Sequence, residues 1–219
     1  MSNLPKNTVR VKTIDGQPPV KYDTTTYDSA TLVEGTVDIY DVYKTGTNFT
    51  NMFYNCINLE KVIDANTDGI TCMVGMFYDC YAMTSVCLFD TSSVTDMSYM
   101  FMDCHSISEI PEFDTHNVTN MDSMFMQCDI INNIPVFNTS NVENMNDMFI
   151  ECINLKEIPL FDTINVKTLN NMFLSCENIE LGILEFYNKI KNQELSHECT
   201  FRDCTQNHNI LDKIPEDWK

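Results

Sequence analysis

Val94-Thr95-Asp96-Met97-Ser98-Tyr99-Met100-Phe101-Met102-Asp103-Cys104-His105-Ser106-Ile107 carries a Met-Phe-x-x-Cys beat that decides the fold. The beat puts phenylalanine at Phe53, Phe77, Phe101, Phe125, Phe149 and Phe173, always 24 residues apart. Cysteine follows in step at Cys56, Cys80, Cys104, Cys128, Cys152 and Cys176. A weaker seventh copy, Thr200-Phe201-Arg202-Asp203-Cys204, comes 28 residues after the sixth. A fixed period this short is the signature of a solenoid, in which each unit buries its core against its neighbours.

Within the quoted copy, Met97, Met100, Phe101 and Cys104 fall at i, i+3, i+4 and i+7. That spacing predicts one face of a short amphipathic helix. Thr95 is placed to cap it, and Asp96 stands in the first turn, where a helix dipole favours an anion. Thr119-Asn120 repeats the arrangement, and Glu143-Asn144 and Lys167-Thr168 vary it.

After the cysteine the pattern changes. Ile107 and Ile110, Ile131 and Ile134, and Leu155 and Ile158 read as inward positions of a short extended segment. Pro111, Pro135 and Pro159 follow at once and end it, because proline has no N–H to donate. Phe-Asp/Asn-Thr then turns the chain, from Phe89, Phe113, Phe137 and Phe161. Asp and Asn suit that turn by bonding the nearby backbone. The expected fold class is therefore α/β, with short parallel strands on one face and short helices on the other.

The repeated side chains read as core. Unbranched methionine fills irregular gaps, and free cysteine behaves as a small, strongly buried hydrophobe. One cysteine per unit at one fixed position predicts a buried column of reduced thiols rather than a disulfide framework, whose geometry is exacting.

Val94-Thr95-Asp96-Met97-Ser98-Tyr99-Met100-Phe101-x-x-Cys104-x-x-Ile107, with Phe-Asp-Thr-Ser before it, resembles the BspA-like leucine-rich repeats of mycoplasma and of oral or gut bacterial surface proteins. The likeness spans roughly residues 45 to 219. The family's commoner unit ends in a Leu-Asp-Leu-Ser-Asn-like strand, where this chain has Ile-Pro. The shorter unit, closing with a helix and a terminal Ile-Pro-x-x-Trp, is similar to copies carried by gut bacteria and their phages. The resemblance implies a right-handed leucine-rich-repeat solenoid used in adhesion or surface recognition, with no chemistry of its own.

The ends lie outside the period. Residues 1–44 form an N-terminal segment, and residues 45–219 hold about seven repeats with a C-terminal cap. Thr8-Val9-Arg10-Val11-Lys12-Thr13 and Val37-Asp38-Ile39-Tyr40-Asp41-Val42-Tyr43 alternate as strands should. The N-terminal segment reads either as a cap over the first unit or as an anchor onto a larger assembly; the two are compatible. Near the other end, Ile183, Phe186, Tyr187 and Ile190 have helical spacing. Trp218, the single tryptophan, is placed to seal the last unit.

The net charge is −19, and no Lys or Arg lies between Lys61 and Lys156, a stretch with fourteen Asp and Glu. That balance speaks against a nucleic-acid partner. It leaves open a solvated acidic surface or divalent cations held by oxygen ligands, without EF-hand spacing. No run of 18 apolar residues suggests a membrane span, and Met1 to Thr13 show no export signal.

Candidates for chemistry are few. His197-x-Cys199-x4-Cys204-x3-His208 has metal-ligand residue types at a non-standard spacing, with Cys204 on the core beat. No nucleophile elbow, P-loop, dinucleotide fingerprint or zincin motif occurs. No catalytic, metal or cofactor residue is assigned, and the chain is read as non-enzymatic. Recognition is expected at exposed positions that vary between units: Ser108, Glu109, Asn132, Asn133, Lys156 and Glu157 on the strand, and His116, Asn117, Asn141 and Asn165 in the turns.

The expected function is structural or adhesive, as a phage virion component (fibre, decoration or tail protein). Its partners would be other virion proteins through the N-terminal segment and a host surface protein or glycan. A homo-oligomer fits a fibre, though no heptad run marks one. The alternatives are a bacterial cell-surface adhesin and, from another class, a glycan hydrolase.

Overall fold

A computed structural model describes residues 2–19 and 27–219. The fold is mixed α/β, with one five-stranded sheet and few helices. The strands are β1 (Thr8–Thr13), β2 (Ser29–Leu32), β3 (Ile39–Tyr43), β4 (Leu59–Asn66) and β5 (Ser85–Val86), in the order β2-β3-β1-β4-β5. Helix α1 spans Ile183–Ile190 and α2 spans His208–Leu211.

β1 buries Val9 and Val11, as its alternation requires. It lies antiparallel between β3 and β4, with Val11 opposite Tyr40 on one side and Val62 on the other. β4 belongs to the first repeated unit, so strand pairing runs across the expected boundary at residues 44/45. The N-terminal segment thereby extends the sheet that the repeats begin. At eight residues, β4 is longer than the short extended segment expected of a repeat.

From β4 onward each unit hydrogen-bonds to the next at the 24-residue period. Parallel bridges link Asn48, Cys72, Asp96, Asn120, Asn144 and Thr168 in series, and Thr168 bridges Ser196. A second row is intermittent, with Ser85 bridged to Glu109 and Glu157 to Leu181.

The Met-Phe-x-x-Cys segments are turns rather than the expected short helices. Met100 N donates to Met97 O at 3.3 Å and Cys104 N to Phe101 O at 3.1 Å. Tyr99 and Asp103 are left-handed, at φ 60 and 57. The intervening amides leave the unit altogether: Met97, Tyr99, Phe101 and Asp103 donate to Asn120, Asp122, Met124 and Met126 at 2.8–3.1 Å. Thr95 caps no helix, since its amide donates to Thr71 O at 3.0 Å. A helix and a run of consecutive turns both bring i, i+3, i+4 and i+7 to one side. The turns win because half of their amides bond along the stack, which repays a left-handed residue every fourth position.

Asn51, Asn55, Asp79, Asp147 and Asn171 are among these left-handed residues, as befits side chains that tolerate that conformation. Gly182, at φ 90, is the glycine whose place the packing favours, because an added Cβ would sit 3.0 Å from Ile158 O and 3.1 Å from Ile158 Cβ.

Four peptides per unit consequently point the same way. The carbonyls of Asp96, Ser98, Met100 and Met102 accept from the preceding unit, while the amides that follow them donate to the next one. Carbonyls are left facing the N-terminal end, where Lys44 Nζ meets Thr50 O at 3.2 Å. At the other end Phe201 N donates to Trp218 O at 2.9 Å.

The core is a column. Phe53, Phe77, Phe101, Phe125, Phe149 and Phe173 stack at centroid spacings of 5.5–5.7 Å and are fully buried. Offset stacking of this kind adds to the area buried. Phe113, Phe137 and Phe161 line a second row beside it. In α1, Phe186 takes the next place in that row, edge-on to Phe161 and Phe173. Trp218 is buried at the end, 6.1 Å from Phe201 and ring on ring with His197 at 3.7 Å.

Candidate functional site

The repeat consumes its own motif. The cysteines at positions 56, 80, 104, 128, 152, 176 and 204 are all buried and free. Each thiol from Cys80 to Cys176 donates to the phenylalanine carbonyl of the preceding unit, at 2.8–3.1 Å. Burial pushes the thiols of Cys104, Cys128, Cys152 and Cys176 well above the ordinary cysteine range. Cys72, Cys87 and Cys199 are partly exposed. Burial pushes Cys87 up to about 11.

All ten expected recognition positions are exposed. The strand set forms one surface. Ser108 N donates to Thr84 O at 3.4 Å, Lys156 N to Asn132 O at 3.3 Å, and Glu157 bridges Leu181. Lys156 Nζ lies 3.5 Å from Glu180. Successive units thus set Ser108, Asn132 and Lys156 in one row, and Glu109, Asn133 and Glu157 in the next.

The turn set has internal work. Asn117, Asn141 and Asn165 donate their side-chain amides to Ser92 O, His116 O and Ser140 O at 2.7–2.8 Å. They form a ladder that ties each turn to the one before. His116 lies between Asp114 Oδ1, at 2.6 Å, and the Asn117 amide, at 2.8 Å. That contact holds the Asp114 carboxyl below the usual range.

Among the described residues no group of three or more His, Cys, Asp and Glu is placed to hold a metal ion. Of the four residues in the His197-to-His208 cluster, Cys204 is in the core and His197 stacks on Trp218. His208 begins α2. Among the described residues no helix is long and apolar enough to cross a membrane.

Sequence reasoning missed two surface features. Tyr81 stacks on His105 at 5.3 Å, and His105 Nδ1 lies 2.8 Å from Asp129. Asp103 stands nearby, its carboxyl pushed up to about 6 by burial and then by Asp79. The second is a row of exposed apolar side chains, Leu88, Val136 and Leu160, at 64%, 66% and 64% exposure. Their spacing in multiples of 24 residues is visible in the sequence, but their exposure depends on the path of the chain after the strand, where Val136 and Leu160 follow a proline and Leu88 follows Cys87.

A family model described as a Mycoplasma protein of unknown function, DUF285, matches residues 24–128 and again 104–213. The chain belongs to this family. The two DUF285 matches together run from within the N-terminal segment to beyond α2, so the Mycoplasma-type repeat accounts for most of the chain. No curated protein and no solved structure matches it.

Proposed function

We propose that the chain is a right-handed leucine-rich-repeat solenoid and a non-enzymatic structural or adhesion protein of a phage particle. The N-terminal segment would dock it to other virion proteins, and the repeats would present a surface to a host protein or glycan. One observation supports this reading: the repeated beat of each unit is spent on the core, while the two rows Ser108-Asn132-Lys156 and Glu109-Asn133-Glu157 are exposed and change from unit to unit. A scaffold of constant core and variable rows suits recognition. Mass spectrometry of gradient-purified virions tests it. Detection of the chain there is the expected result, and its absence from particles together with labelling at a cell surface would overturn the virion assignment.

A second reading is a bacterial cell-surface adhesin. It is favoured by the family description, which names a cellular organism. Surface biotinylation of intact cells that express the gene separates the two.

A further inference from the structure

Helix α1 places Lys189 at the end of the apolar row, where its Nζ donates to the carbonyl of Phe161. The equivalent carbonyls in earlier units belong to Phe89, Phe113 and Phe137. Among the described residues these three accept no hydrogen bond from the chain. Beside each stands an acid or amide, respectively Asp90, Asp114 and Asn138. Asp90 and Asp114 use one oxygen on the turn amides of Ser92 and His116, so the second oxygen is left for another donor.

At the N-terminal end this face deepens into a concavity of about 920 Å³. Asp64, Asp68, Asp90, Glu112, Asp114 and Leu88 line it, and none of its lining residues is basic. Leu88 is largely exposed there, as Val136 and Leu160 are further along. An ammonium group would find, at Phe89, a carbonyl with no partner among the described residues and, on the next residue, a carboxylate, in a concavity that Leu88 also lines. That combination suits a lysine side chain such as Lys189, whose stem covers apolar surface while its head stays charged.

We propose that this face binds a lysine-rich, partly apolar segment of a partner protein, with Lys189 showing within the chain how an ammonium group meets the carbonyl. The repeat units supply no Lys or Arg to this face from residue 62 to 155; the nearby cations among the described residues come from the N-terminal segment, Arg10 opposite Asp64 and Lys6 beside Gly69. Such binding is independent of whether the chain is found on virions or on cells.

Calorimetric titration of the full chain with a Lys-Leu-Lys-Ala repeat peptide tests this. Binding is expected, weakened at about 0.5 M salt and absent when every lysine is acetylated. The triple variant D90N/E112Q/D114N is expected to lose about ten-fold in affinity. E177Q/E194Q/E198Q, with the same net charge, should lose less than about two-fold if the site rather than the overall field does the binding. Leu88→Ser should weaken binding with no change in charge. Three outcomes overturn the proposal: no binding, equal losses in the two triple variants, or spermidine binding as tightly as the peptide. Thermal melts of each variant show that the fold is retained.

Discussion

The thiol of Cys104 donates to the carbonyl oxygen of Phe77, 3.1 Å away in the preceding unit. The same kind of bond recurs down the column, so this cysteine is both a small core side chain and a tie between units. Cys104→Ala removes the sulfur's packing and the weak hydrogen bond together. Its expected cost is about 1–2 kcal/mol, read from urea denaturation. An unchanged midpoint would mean the bond and the packing contribute nothing.

Alkylation should sort the ten thiols by position. In the folded chain iodoacetamide is expected to reach Cys72 and Cys199 first and Cys87 slowly, since burial pushes the Cys87 thiol up to about 11. The seven core cysteines should react only after denaturation. Peptide mass spectrometry reads each site, and early modification of Cys104 or Cys128 contradicts the column.

Ser175 separates turns from helices. It is left-handed at φ 59, the second such position of its unit. Ser175→Gly is expected to leave stability unchanged or raise it by up to about 1 kcal/mol. Ser175→Val should cost about 1–2 kcal/mol, because a β-branched residue fits that conformation poorly. A helix would reverse the glycine result, costing about 1 kcal/mol. Paired denaturation curves decide it.

Asp103 ties stability to pH. Burial and Asp79 push its carboxyl up to about 6, so between its unfolded value, about 3.9, and 6 the folded chain holds more protons than the unfolded one. Its contribution therefore falls as pH rises through that window. Asp103→Asn keeps a side chain that tolerates the left-handed backbone and carries no charge. The melting temperature of the variant relative to the parent should be higher at pH 7.5 than at pH 4. An equal difference at both would remove Asp103 as the source.

Trp218 closes the last unit through its ring on His197 and its carbonyl on the Phe201 amide. Trp218→Ala is expected to cost about 3 kcal/mol. The loss should be local at first, so hydrogen exchange near Phe201 should rise well before exchange near Phe125. A uniform rise would show that the units melt together.

Residues 183–190 were legible as a helix because its amphipathic spacing stands outside the repeat, and Thr8–Thr13 as a strand because its alternation is strict. β2 was not legible: the alternation of Ser-Ala-Thr-Leu lasts only four residues and buries none of them, and only β3 gives it a partner. The recognition rows could be read as exposed, but the role of Asn117, Asn141 and Asn165 as a ladder could not, since it depends on carbonyls about a unit away.

The sequence by itself determined the period, the buried identity of Met, Phe and Cys at each beat, and the acidity of the surface. These follow from composition and spacing, which need no partner. Only the tertiary structure decided what the beat becomes. Met97 to Cys104 satisfy a helical spacing, yet their alternate amides find acceptors in the next unit, and those long-range bonds favour turns with a left-handed residue every fourth place. Hydrogen-bond partners about 24 residues away are a property of the stack, and no local window of sequence contains them.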